Sequence, residues 1–418
     1  MTIFLLLLAL VTFRSMTLVP QGQFQKDYIS KSTTANIKGI FVILILFSHY
    51  TQYVTLGGPY DDAYLALRKH LNQMVVVMFL FYSGFGIMRS IQNKGQAYIR
   101  SRLPERFLKV WLQFAAAVLL FLITGLLLGK KFTVGHVLLS FVGWDSIGNS
   151  NWYIFDTLVA YLLLFIAFMI FSPLKSKKVP ERSAAAVKPK AELSQYLGCG
   201  LFTVLIILFV YGMMAAGRSG YWYNTIFLFP VGCWYALFQD KIEKLVMKND
   251  FWYVFFVLAN LAVYLFAFER RWSGGIEMYT VWACSFTAMI LLFTMKCSVS
   301  GNLLSWFGQH VFSVYILQRI PMMVLDRFGL AETHKYAFLI LSFLITILMA
   351  MLFDGWIGKL WNSLTINCPA RCNAAFAAGS RDRRAPGCEK RSLCASFCDS
   401  EAEGGTVTKF RNKVRRKN

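Results

Sequence analysis

Apolar residues in this chain fall in long, nearly unbroken runs rather than in the alternation of a half-buried strand or the narrow stripe of a soluble helix. Eleven such runs can be drawn: Ile3–Val19, Ile37–Val54, Leu71–Met88, Phe107–Leu128, Trp152–Phe171, Tyr196–Ala216, Trp222–Phe238, Phe251–Phe268, Met278–Met295, Leu303–Leu325 and Tyr336–Ile357. About 20 apolar residues cross a bilayer as a helix, and in lipid each backbone polar group must be satisfied within its own segment. The pattern therefore predicts an all-α, polytopic integral membrane helix bundle, with about ten core spans and one extra N-terminal span. Arg14 interrupts the first run. A signal peptide is the alternative there. No basic n-region precedes the run and no A-x-A site follows it, so an uncleaved anchor is expected.

Composition sharpens this. The chain is 57% hydrophobic and 15% charged, with a mean hydropathy of +0.51, against about 45–50% apolar and about 25% charged in soluble domains. A soluble globular protein, a disordered chain and a disulfide-stapled secreted scaffold are all excluded. Lys and Arg outnumber Asp and Glu by 43 to 21, and the excess is unevenly placed. Loops alternating from the one after the first run hold 19 Lys and Arg, counting Arg14 and Lys109 of the flanking runs, and the intervening loops hold 9. Because Lys and Arg resist translocation, the N-terminus is expected outside and the C-terminus in the cytoplasm, in a multi-pass membrane protein.

Three segments are expected: residues 1–26 as the extra anchor and its loop, 27–366 as the transmembrane domain, and 367–418 as a basic tail. Lys175–Lys190 reads as a basic cytoplasmic linker. The tail has 12 basic and 5 acidic residues and five of the nine cysteines, with Cys368/Cys372 and Cys394/Cys398 each spaced C-x₃-C. A zinc site needs four oriented ligands. Here there is no nearby His and no core to hold the thiols, so a solvated, disordered tail with reduced cysteines is expected and no metal. Its arginines are available to anionic lipid headgroups, and nucleic acid is not needed to explain them.

An ionisable residue inside an apolar span is costly, and so is a functional candidate. His49 ends the run from Ile37 to Tyr50, twelve residues past Ile37, roughly 18 Å into a core of about 30 Å. A neutral imidazole there can take a proton from a hydroxyl, the work of a general base; a hydrogen bond made only for packing is the plainer alternative. Asp156 is expected at similar depth on the span from Trp152. There it can orient the imidazole as in a hydrolase triad, or simply face interfacial water. Gln318 and Arg319, in the outer half of Leu303–Leu325, suit a polar cavity or a bond between helices. On the cytoplasmic side Arg100, Arg102, Arg106 and Lys109 cluster where a helix begins near Pro104. Arg106 and Lys109, three apart, are expected to share a face. Such a cluster suits phosphate groups, or serves only as the cytoplasmic charge signal.

In this order the motifs resemble the membrane-bound acyltransferase type 3 family, which O-acylates cell-surface sugars in bacteria. The resemblance runs from about Asp27 to Ile357. A basic residue and Gly opening a span that ends in His appear as Lys38-Gly39 through Ser48-His49. An apolar run ending Ser-Gly-Phe appears as Val77 to Phe85, including Ser83. The cytoplasmic R-x-x-R looks like Arg106 to Lys109, with Lys in the last place. The aromatic start of a middle span looks like Trp152-Tyr153-Ile154, and a late pattern containing Ile-Tyr-Leu-x-His looks like Gly308 to Gln318, with Tyr315 in register and Gln318 in place of His.

The resemblance implies transfer of an acyl group, usually acetyl, from cytoplasmic acyl-CoA to a sugar hydroxyl. Acetyl-CoA is then a donor substrate and no cofactor is permanently bound. His49 is implied as the base; Asp156 is kept beside it as a catalytic candidate from its depth alone, and Arg100, Arg102, Arg106 and Lys109 lie where the donor's phosphates would arrive. The resemblance also implies the bacterial cytoplasmic (inner) membrane. Lys38, Ser83, Trp152, Tyr315 and Gln318 are implied at the substrate by the motifs that carry them, and Arg319 is added to them from its place in the outer half of its span. The expected partners are a surface glycan or lipid-linked sugar and membrane lipids, with no nucleic acid; a homo-oligomer or an accessory transferase is left open. Two rival classes are weighed. A transporter or flippase is expected to show inverted repeats and broken helices, neither of which is legible. A polyprenol-linked glycosyltransferase or polymerase is expected to carry a large external loop, and the external loops are short.

Overall fold

The computed structural model describes residues 1–171 and 192–366. The linker Lys175–Lys190 and the tail after Ile366 lie outside the described residues, and with them the readings of a cytoplasmic linker, a zinc site and a solvated tail. In chain order the elements are α1 (Thr2–Arg14), β1 (Met16–Leu18), α2 (Lys31–Tyr50), α3 (Asp62–Leu71), α4 (Met74–Ala97), a π turn (Tyr98–Arg102), α5 (Leu103–Leu127), α6 (Val134–Phe141), α7 (Trp152–Ile170), α8 (Leu193–Ala215), a 3₁₀ turn (Gly220–Trp222), α9 (Leu228–Val246), α10 (Asp250–Arg270), α11 (Gly275–Lys296), β2 (Cys297–Val299), α12 (Asn302–Gln309), α13 (Val311–Leu317), α14 (Arg319–Arg327), α15 (Leu330–Thr333) and α16 (Lys335–Ile366).

The fold is an all-α membrane bundle. Among the described residues, seven helical stretches are long and apolar enough to cross a bilayer. One of them, Met74–Leu127, joins α4, the π turn and α5, and the chain departs from helical geometry inside it at Gly95, whose φ of 58° suits glycine. Large apolar side chains stay exposed along whole helix faces, as at Leu6, Leu7 and Leu10 of α1, Leu258, Leu265 and Phe266 of α10, and Leu344, Leu348 and Leu352 of α16. Contiguous faces of that kind are tolerated in lipid and not in water.

Contacts define two ends of the bundle. One gathers Met1, Tyr50, Tyr60, Asp61 and Lys335: the Met1 ammonium reaches Asp61 Oδ1 at 2.6 Å, Lys335 Nζ reaches Asp61 Oδ2 at 2.8 Å, and the Tyr50 hydroxyl donates to the Lys335 carbonyl at 2.8 Å. The other gathers β1 against β2, with Met16 opposite Val299, and Asn36, whose Oδ1 accepts from Gly301 N–H at 3.0 Å.

Two helix pairs meet through glycine. A side chain at Gly39 of α2 would collide with the Leu304 carbonyl of α12, and one at Gly308 with the Ala35 carbonyl of α2. Gly84 of α4 and Gly232 of α9 are related in the same way, through the carbonyls of Phe229 and Phe81. Small residues let membrane helices pack at backbone distance, so the glycines of the two sequence motifs Lys38-Gly39 and Ser83-Gly84 are packing residues that fix where Lys38 and Ser83 stand.

Three expectations need correction. The run Ile3–Val19 is not one continuous helix. It stops at Arg14, and Met16–Leu18 leaves to pair with Cys297–Val299. Its 13 helical residues rise only about 20 Å. The run Leu303–Leu325 is three helices, broken at His310 and Gln318. Pro321 accounts for the second break, because it has no N–H to bond the Leu317 carbonyl. The loops at the Asp61 end are also not simple: they contain α3 and α6.

The Asp61 cluster yields a prediction. Burial pushes this carboxyl up, but the Lys335 ammonium, the Met1 ammonium and the Gly57 N–H outweigh it and hold the group well below the usual carboxylate range. A depressed folded-state value adds stability above the ordinary pKa of about 3.9, and that stability is lost as pH falls through the depressed value. Asp61→Asn should cost about 3 kcal/mol at pH 7, seen as earlier thermal unfolding in detergent. The gap to the unmodified protein should narrow below about pH 4. Identical melting of the two proteins at pH 7 would refute this role.

Candidate active site

His49 lies in the last turn of α2, whose apolar residues Phe41 to Phe47 are buried on all sides. Its ring meets two things. Nε2 lies 3.3 Å from the Ser150 hydroxyl, and the ring centroid lies 6.1 Å from that of Tyr315. Nδ1 is buried and has no hydrogen-bond partner among the described residues.

Ser150 is held by a knot of short side chains ahead of α7. Asn151 Nδ2 donates to the carbonyls of Gly143 and Asp145 at 2.8 Å each, the Ser146 hydroxyl donates to the Asn149 carbonyl at 2.6 Å, and Ile147 N–H reaches Asn149 Oδ1 at 3.2 Å. Gly148, with φ 116°, occupies backbone space closed to other residues. Such a side-chain-tied loop presents a hydroxyl with little freedom.

A cavity of about 190 Å³ opens on the Asn36 side of His49, lined by Lys38, Tyr82, Ser83, Arg106, Tyr153 and Tyr315 among others. The polar groups come from five helices: Lys38 from α2, Tyr82 and Ser83 from α4, Arg106 from α5, Tyr153 and Tyr161 from α7, and Tyr315 from α13. Arg106 donates to the Tyr98 hydroxyl of the π turn at 3.2 Å. The hydroxyls of Tyr82 and Tyr315 are buried without a partner among the described residues, so the cavity offers hydrogen-bonding groups to a ligand. A second cavity, of about 210 Å³, opens toward the other end and is lined by Tyr53, Lys130, Gly148, Arg319, Asp326 and Arg327 among others.

His49 sits between the two. Tyr315, its ring neighbour, belongs to the first cavity, and Arg319, one turn further on and the charged group whose field reaches His49, belongs to the second.

The sequence-predicted residues separate accordingly. Lys38, Ser83, Arg106 and Tyr315 share one cavity, and Arg319 lines the other. Gln318 is buried at the helix break, donating to the Tyr315 carbonyl at 2.9 Å. Trp152 packs its ring against Tyr153 and Tyr221, at 6.2 and 6.4 Å. The triad-like pairing of Asp156 with His49 is not formed. Asp156 is fully buried on α7 with neither oxygen hydrogen-bonded among the described residues, and its electrostatic neighbours are Tyr153 and Tyr315. The place expected for it is taken by Ser150.

The cationic run separates as well. Arg102 pairs with Glu105 at 3.1 Å, Lys109 sits 5.8 Å over the Trp361 ring, and Arg100 projects from the π turn, so only Arg106 faces the cavity. Arg106 and Lys109 are three apart but not at one site, because Trp361 of α16 draws Lys109 away.

Tyr82, Tyr153 and Ser150 were not legible as site residues. A tyrosine in an apolar helix looks like packing, and only the density of Gly, Asn, Ser and Asp between Gly143 and Asn151 hints at a structured loop.

A family model described as an acyltransferase domain matches residues 36–355. The chain belongs to the acyltransferase 3 family. No curated protein and no solved structure matches it. The matched region begins at Asn36, where α2 meets α12, and ends within α16, so both cavities lie within the acyltransferase domain. Membership also decides between the rival classes: the broken segment Leu303–Leu325, a feature shared with carriers, belongs here to a membrane acyltransferase.

Proposed function

We propose that this acyltransferase moves an acetyl group from acetyl-CoA, bound from the cytoplasm, to a hydroxyl of a surface or lipid-linked sugar on the far side of the bacterial cytoplasmic membrane. The observation that carries the reading is the placement of His49 between two cavities that open toward opposite ends of the bundle. On this reading the Asn36 end is cytoplasmic, following the loop charge, and the N-terminus lies outside.

The donor's phosphates fit Lys38 and Arg106, two cations on separate helices facing one space. Its amide-bearing arm fits the unpartnered hydroxyls of Tyr82 and Tyr315. A volume of about 190 Å³ suits an extended arm rather than a whole nucleotide, which leaves the nucleotide at the mouth. Lys38 and His49 are eleven residues apart on α2, about 16 Å along the axis, so a donor anchored at Lys38 can extend its thioester toward His49.

The acceptor oxygen, approaching through the second cavity, attacks the thioester carbonyl as His49 takes the hydroxyl proton. The carbon–sulfur bond breaks, and the coenzyme A thiolate leaves and is protonated. A ring that donates Nε2–H to the Ser150 oxygen leaves the lone pair on Nδ1, the nitrogen without a partner.

Purified protein in lipid vesicles, supplied with acetyl-CoA and sugar acceptors, should release free coenzyme A thiol with matching acetylation of sugar. Acetyl-CoA that stays intact with every acceptor, while the protein remains folded, would reject the donor assignment.

A further inference from the structure

The second cavity has a chemistry of its own. Its charged lining is Lys130 from the turn after α5, Arg319 and Arg327 from the two ends of α14, and Asp326. Three cations thus face one carboxylate. Among the described residues none of the four takes part in an ion pair within 4.0 Å. Arg319 is the sharpest case: its Nε is buried with no hydrogen-bond partner, and its guanidinium lies 6.0 Å from the Tyr53 ring centroid. A buried, unpaired guanidinium N–H is expensive, and its planar fork is shaped for the two oxygens of a carboxylate or phosphate.

The cavity also touches the reacting centre. Gly148 lines it, where a side chain would press on the Met323 sulfur, and Ser150, two residues on, holds His49. An oxyanion gripped by Arg319 therefore lies next to the base, within reach of a neighbouring hydroxyl on the same molecule. The Tyr53 ring beside it offers a flat apolar face to the rest of that molecule.

We propose that the acceptor is an anionic sugar: a saccharide carrying a carboxylate or phosphate, recognised by Arg319 with Arg327 and Lys130 in support, whose nearby hydroxyl is presented to His49. This rests on the reading above that the second cavity receives the acceptor, and it adds the acceptor's chemical class.

The test is an equilibrium titration of the detergent-solubilised full chain with glucuronic acid, glucose 1-phosphate and glucose. The acidic sugars should bind at least about tenfold more tightly than glucose, since charge-assisted bidentate pairs are strong. Raised salt should shrink that margin, and Arg319→Gln should erase it. Arg319→Lys should restore part of it, because charge without the fork retains attraction but not bidentate geometry.

Equal binding of glucose and the acids would overturn the proposal, as would a preference that survives Arg319→Gln in a folded protein. A lipid headgroup offers the same oxyanion chemistry, so the titration is repeated with phosphatidylglycerol or phosphatidylcholine in mixed micelles. Displacement of the sugar acids by phosphatidylglycerol alone would overturn assignment to the acceptor and make the cavity a lipid site. The titration reads binding without turnover. A failure of coenzyme A release in the separate transfer assay is therefore distinguishable from a failure here.

Discussion

Replacing His49 with alanine should abolish acyl transfer while the protein inserts, folds and binds its donor. The ring stands against Tyr315, a wall of the first cavity, and within the field of Arg319, part of the charged lining of the second. Its Nδ1 is buried without a partner among the described residues, a poor arrangement for a packing residue, whose second nitrogen would normally be satisfied. Loss of a general base typically costs on the order of 10² to 10⁴ in rate, and thiol release from acetyl-CoA with acceptor present measures it. His49→Gln keeps a side chain of similar reach that can bond Ser150 but cannot serve as the base, so it should be equally inactive. Transfer above about a tenth of the normal rate in either variant would sink the assignment. Ser150→Ala removes a neutral hydrogen bond worth about 1 kcal/mol, so its rate should fall by up to about tenfold, with donor affinity unchanged.

The parts of this site that were legible in the sequence follow from the cost of polarity in lipid. His49 and Arg319 stand out because nothing nearby in sequence compensates them. Lys38 and Arg106 stand out because they open apolar runs. Depth is readable, since residues count along a helix axis. Direction around that axis is not, and that is why Asp156, counted to the same level as His49, does not bond it. The azimuth of α7 is set by Phe155 packing against Trp144 and Trp222, and by Tyr153 meeting Tyr315 at 5.3 Å. Two of those partners, Trp222 and Tyr315, lie far from α7 in sequence. The same limit separated Arg106 from Lys109: the residue that takes Lys109 lies some 250 positions later on α16. The break at Gln318 escapes a reading by hydropathy, because the apolar run continues through Pro321 and hides the missing hydrogen bond. The first cavity is made where five helices fail to fill space, and the second between α14 and the loops after α2, α5 and α6, a property of packing that no single segment carries.

Lys38→Gln combined with Arg106→Gln should lower affinity for acetyl-CoA by about a hundredfold or more, charge-assisted contacts to phosphate being worth about 1.5–3 kcal/mol each. The two cations come from α2 and α5, face one cavity, and lie close enough that Arg106 acts electrostatically on Lys38. Two like charges converging on a confined space repel, and an anion between them turns the repulsion into binding. Arg106 donates to the Tyr98 hydroxyl at 3.2 Å, which holds the guanidinium in place and leaves its other N–H groups for a ligand. The comparison that isolates phosphate recognition is KM for acetyl-CoA against KM for acetyl-pantetheine, which has the arm and thioester but no phosphates. The unmodified protein should prefer acetyl-CoA strongly and lose part of that preference in high salt. The double variant should treat the two donors nearly alike and keep its kcat for acetyl-pantetheine. Arg100→Gln with Lys109→Gln is the matched control: it removes the same charge from the same surface, but Lys109 stands over Trp361 and neither side chain lines the cavity. The control should change donor affinity by less than about threefold, a distant charge being screened. Equal losses in the two double variants would mean that only the general positive charge of this surface matters, and unchanged affinity in Lys38→Gln with Arg106→Gln would remove the donor from this cavity.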